Sequence, residues 1–173
     1  DVRLVATLLD LYPTHRKMAG AGLRAFASMC LVSDAHLHAI SRDNLRILLQ
    51  AQLYHAKSRS VSLHISEVLT TAAGRKLDLM TESAVVLAAN VVREFPRDAA
   101  VARNALDALR LCVTRGELME KLLDVLPATL LVTIGEVHRA DAPLMVSLCE
   151  LLAAEAASGP GPRSDLVGAG AVA

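Results

Sequence analysis

Six histidines, three cysteines and a glycine-proline run are the residues whose types could carry metal, nucleophilic or phosphate chemistry. The one close histidine pair, His36-x-His38, falls on a predicted short helix. Residues two apart there point about 200° away from each other and cannot chelate one ion from one face. The pair reads as a solvated loop-helix junction. Cys30, Cys112 and Cys149 each sit in an apolar helical stretch with no CxxC or Cys/His spacing, so packing as small apolar residues accounts for them better than nucleophilic attack does. Gly159-Pro-Gly-Pro is no phosphate loop, because proline removes backbone donors and no Lys-Ser/Thr follows. Gly20-x-Gly22 sits inside a helix, where glycine marks close packing. His64 stands three residues before Glu67, a surface pair. His15, His55 and His138 come near the ends of medium-length helices, where exposed carbonyls suit them. Carboxylates occur singly along helices, leaving acid-base catalysis no constellation. The reading is a non-enzyme with no cofactor and no metal site.

The elements that hold these residues are all helical. Apolar residues at 3-4 spacing predict helices over 2–12, 16–32, 35–40, 45–54 and 60–73, then a short turn over 77–80. Further helices follow over 84–95, 99–113, 117–125, 127–137 and 144–157. Pro13 and Pro96 stop helices, Asp98 and Asp141 are N-cap residues, Pro127 suits a first turn, and Gly74 stands where a C-terminal cap belongs. Residues 158–173 open on Ser-Gly-Pro-Gly-Pro-Arg-Ser and read as a flexible tail or linker.

One register recurs. Met18/Gly22/Phe26, Val61/Ile65/Leu69, Val101/Ala105/Leu109 and Leu144/Leu148/Leu152 start 43, 40 and 43 residues apart. That period belongs to stacked helical units, which bury their apolar faces only against neighbours. The units run over about 1–33, 34–75, 76–115 and 116–157, the first without its short helix. A free-standing helical bundle is the competing arrangement.

Composition removes other classes. The chain is 53% hydrophobic with 2% aromatics, so its core is Leu, Val, Ala, Ile and Met, which suits close-packed helices. Lys plus Arg and Asp plus Glu number 18 each, a balance with no long-range field for nucleic acid or anionic lipid. No apolar stretch reaches the roughly 20 residues of a membrane span. An odd number of cysteines fits a reduced, intracellular protein. The chain opens on Asp1 with no readable leader, as a fragment of something longer would.

Leu8-Leu9-Asp10-Leu11-Tyr12-Pro13 matches Val91-Val92-Arg93-Glu94-Phe95-Pro96, each proline five residues before the register residue of a long helix. With the long-helix segments Leu23-Arg24-Ala25-Phe26, Leu106 to Leu111 and Glu150-Leu151-Leu152, the pattern resembles the armadillo repeat, and more loosely the HEAT repeat. The resemblance covers residues 1–157 and implies a right-handed α-solenoid of about four units whose long helices line a concave groove. The junctions Asp43-Asn44, Glu82-Ser83 and Leu126-Pro127 lack the family's common glycine.

Aligned on the long helices, the family's groove Trp falls at Arg24, Glu67, Asp107 and Glu150, and its Asn at Ser28, Thr71, Leu111 and Ala154. With no Trp-Asn ladder, a carrier of nuclear signals is not expected. The resemblance implies a non-catalytic scaffold or adaptor presenting the long-helix surface to a protein partner. Arg24, Glu67, Asp107 and Glu150 are the candidate contact residues, and the acids suit a basic segment. Alternatives are a structural subunit of a large cytoskeletal or organellar assembly, or a regulatory module of an enzyme domain outside the chain.

Overall fold

The computed structural model describes residues 2–33, 35–36, 42–75, 77–113 and 116–170, and every regular element among them is helical. The helices are α1 (Val2–Leu11), α2 (Arg16–Val32), α3 (Arg42–His55), α4 (Arg59–Arg75), α5 (Glu82–Glu94), α6 (Ala99–Val113), α7 (Gly116–Val125), α8 (Ala128–Val137), α9 (Ala142–Ala157) and α10 (Pro160–Gly168). A 3-10 turn, Leu77–Leu79, precedes α5. The predicted helix over 35–40 lies almost wholly outside the described residues, as does His38.

Neighbours in sequence are neighbours in space. The long helices touch in the order α2, α4, α6, α9, and a second series touches in the order α1, α3, α5, α7. The two series also pack against each other, α1 on α2, α3 on α4 and α5 on α6. The register residues Val61, Ile65, Leu69, Val101, Ala105, Leu109, Leu144 and Leu148 are all buried in one continuous core. At Gly22 an added Cβ would lie 2.8 Å from Leu9 Cδ2, so glycine sets how closely α1 approaches α2. Gly135 does the same against Leu148, also at 2.8 Å, a close approach that the sequence pattern did not single out.

A turn with the same hydrogen bonding leads into each long helix. The amides of His15, Ser58, Asp98 and Asp141 donate to the carbonyls of Tyr12, His55, Phe95 and His138. Where the turn carries an aromatic residue and proline, the next turn carries histidine. His55 Nε2 lies 2.9 Å from the Pro13 carbonyl, and His138 Nε2 lies 2.8 Å from that of Pro96. A carbonyl only accepts, so Nε2 carries the proton in both rings. The two rings therefore tie turn to turn, while the His138 backbone amide also closes α8 on the Ile134 carbonyl. His15 works at the opposite end from the one expected, its Nδ1 accepting from the Met18 amide at the start of α2.

Two boundaries also differ from expectation. Gly74 lies within α4, which runs on to Arg75. The expected tail contains α10, which packs against α8 and α9. Proline bars a helix only from its interior, and Pro160 is the first residue of α10, where no amide partner is needed. No helix among the described residues is long and apolar enough to cross a membrane.

Candidate functional site

Arg24, Glu67, Asp107 and Glu150 occupy corresponding places on α2, α4, α6 and α9, each beside buried register residues. Arg24 is exposed, Glu67 and Asp107 are half-buried, and Glu150 is exposed. The burial pattern forces this: with Leu106, Ala108 and Leu109 packed inward, position 107 can only lie at the rim of the core.

The acids are not a bare stripe. His64 Nδ1 lies 2.8 Å from a Glu67 carboxylate oxygen. Asp107 accepts the Ser147 hydroxyl from the next long helix and has Arg110 Nε at 3.8 Å. Arg110 Nη1 donates to Glu150 at 3.0 Å, so one guanidinium links Asp107 to Glu150. Between α4 and α6 the Thr70 hydroxyl donates to the Asn104 carbonyl at 2.5 Å. A repeat-period alignment compares residues about 40 apart. It passed over Arg110, which shares a helix face with Asp107 at a spacing of three, whereas the same spacing made the His64–Glu67 pair readable.

A second polar ladder runs along the starts of the long helices. Asp98 caps α6 by accepting from the Val101 amide at 3.1 Å, and Arg59 from the start of α4 bridges to it, with Nη2 at 3.3 Å from Oδ1. Asp141 caps α9 by accepting from the Leu144 amide at 3.2 Å, and Arg103 donates to it at 2.5 Å. Burial opposes the Asp98 charge, but the Arg59 bridge and the Val101 and Ala100 amides outweigh it and hold the carboxyl below its ordinary range. Arg103 first, then the Leu144 amide, hold Asp141 below its range. A carboxyl lowered in the folded state stabilises the fold above its unfolded pKa, and that stability is lost as pH falls through the folded value. The melting temperature is expected to drop as pH goes from about 5 to about 3. The pair Asp98→Asn with Asp141→Asn should flatten that drop, and an unchanged slope would assign the acid sensitivity elsewhere. Glu155 acts in the other direction: burial, with Asp165 adding to it, pushes its carboxyl up, so protonation there favours the fold.

The thiols divide. Cys30 and Cys112 are buried, and burial pushes the Cys30 thiol up to about 11. Cys149, read from the sequence as packing, is exposed on α9 beside Glu150. A thiol-specific chromogenic reagent should titrate one thiol quickly in the native protein and all three in denaturant. Rapid titration of a second thiol would contradict the burial of α2 or α6.

No group of three or more His, Cys, Asp or Glu that could hold a metal ion occurs among the described residues. Open clefts lie between neighbouring helices. One, of about 550 Å³, lies between α3 and α5 and is walled by Leu49, Leu53 and Asn90. Another, of about 720 Å³, lies between the first turns of α2 and α4 and includes Arg24 and His64. No family model, no curated protein sequence and no solved structure matches the chain.

Proposed function

We infer that the chain is a right-handed solenoid of about four armadillo-like units and serves as a non-catalytic, intracellular scaffold or adaptor. The observation that carries this reading is the unbroken contact order α2, α4, α6, α9. Along that order corresponding polar residues recur once per long helix. An elongated face of rim-level side chains suits recognition of another protein better than enclosure of a small molecule. Arg24, Glu67, Asp107 and Glu150 are the proposed contact positions. With Glu67, Asp107 and Glu150 already engaged by His64, Ser147 and Arg110, a basic partner segment would compete for carboxylates rather than meet free ones.

Cys149 provides the test. The native protein, labelled there with a photoactivatable maleimide, is illuminated in a lysate of its own cell type. A protein adduct that excess unlabelled chain abolishes is expected from Cys149. No such adduct is expected from the double variant Cys149→Ser, Leu53→Cys, which moves the label to an exposed position on α3 in the other series of helices. Equal adducts from both positions, or none from Cys149, would remove the long-helix face as the recognition surface.

A further inference from the structure

We propose that the cleft between the first turns of α2 and α4 is a docking site for an acidic segment of a partner protein. A carboxylate of that segment takes the place beside Arg16 that Asp98 takes beside Arg59. The proposal rests on the protein-recognition reading above and names the chemistry of one partner.

The cleft, of about 720 Å³, is walled by Arg16, Lys17 and Arg24 from α2 and by Arg59 and His64 from α4, with no carboxylate among its lining residues. Two of these side chains are engaged, Arg59 with Asp98 and the His64 ring with Glu67. Arg16, Lys17 and Arg24 are exposed and make no ion pair or hydrogen bond with a described residue. In a chain whose charges sum to zero, three unpaired cations on one wall are a local separation of charge.

Fold stability does not explain them. Neither α2 nor α4 has an acidic residue in its first turn. Arg16, Lys17 and Arg59 instead stand at helix N-termini, where the dipole favours anions and disfavours cations. The later long helices show the arrangement that stability selects: Asp98 and Asp141 cap them, and each is bridged by an arginine of the preceding long helix. The same construction begins one step earlier and stops short. Arg16 lies 43 residues before Arg59, and Ser58 lies 40 residues before Asp98, matching the register spacings. Arg16 thus shares its cleft with a hydroxyl where the next step has a carboxylate.

Ser58 points to a ligand independently of charge. The residue is 5% exposed and lines the cleft, and its Oγ has no hydrogen-bond partner among the described residues. That hydroxyl is reached by solvent from the cleft, so an occupant that excludes the water must accept its hydrogen bond. A carboxylate accepts from both a guanidinium and a hydroxyl, and so satisfies Arg16 and Ser58 together. The volume exceeds that of one carboxylate, and Arg16 to Arg24 span more than two turns of α2. The fitting occupant is a segment bearing several acids.

The test is fluorescence anisotropy of the whole chain with a labelled hexaglutamate peptide, at low and moderate salt. Hexalysine and a single-stranded oligonucleotide serve as comparison probes. Saturable, salt-weakened binding of hexaglutamate and none of hexalysine is expected. Arg16→Ala with Arg24→Ala should weaken binding on the order of tenfold, whereas Arg97→Ala, an exposed cation elsewhere, should leave it unchanged. The sharper variant is Ser58→Asp, which supplies the missing carboxylate from within. It should raise the melting temperature and weaken hexaglutamate binding by a similar factor. Unaltered binding by Ser58→Asp, or oligonucleotide binding without peptide binding, overturns the proposal. If hexaglutamate fails while the Cys149 adduct still forms, this site alone is wrong; if both fail, the recognition reading goes with it.

Discussion

Leu109→Ala is expected to cost about 2–5 kcal/mol of folding stability, measured by urea titration followed by circular dichroism. Leu109 is fully buried on α6, the helix that packs against α4, α5, α7 and α9 together. Truncating its isobutyl side chain to a methyl leaves a cavity walled by several helices. Such a site collapses poorly, so the cavity term adds to the lost transfer energy. Against a typical domain stability of about 5–15 kcal/mol, the loss is a large fraction of the total. Leu53→Ala supplies the contrast. Leu53 is 78% exposed, and its truncation should stay within about 0.5 kcal/mol. A Leu109→Ala loss below about 1 kcal/mol would show that the α6 register is wrong, because no fully enclosed leucine is that cheap to remove.

Phe26→Ala is expected to be as costly overall, about 3–5 kcal/mol, but to distribute its damage differently. Phe26 is 1% exposed on α2, which packs against α1 and α4 and lies at one end of the long-helix order. In a linear stack each unit is held by its own stability and its nearest interfaces, so a wound at one end stays local. Native-state hydrogen exchange should show the amides of α1 and α2 losing protection in Phe26→Ala while those of α6 and α9 keep theirs. Leu109→Ala, in the middle, should loosen helices on both sides. A bundle with one cooperative core predicts the opposite, a uniform fall in protection in both variants. That uniform fall would sink the solenoid reading while leaving the all-helical fold intact.

Much of this architecture was legible because its causes are local. The 3-4 spacing of apolar residues fixed where the helices lie, Asp98 and Asp141 announced two N-termini, and the spacing of 43, 40 and 43 gave the register that is buried on α4, α6 and α9. The His64–Glu67 pair was readable for the same reason, as both residues sit on one turn of one helix. The helix Pro160–Gly168 was missed because its glycines and prolines outweigh its few apolar residues in any local count, and its contacts with α8 and α9 lie in tertiary space.

What the sequence determined by itself was the helical register and the places where charge would lie along each helix. Tertiary structure alone decided which charges are spent. Arg110 bridges Asp107 and Glu150, Arg59 and Arg103 meet caps on the following helix, and Arg16, Lys17 and Arg24 have no counterion among the described residues. The physical reason is reach. A helix fixes the order and angle of its side chains within a turn or two, whereas an ion pair forms only within a few ångströms. The partners that close those distances here stand 38 to 40 residues away, brought alongside only by the packing of one long helix on the next.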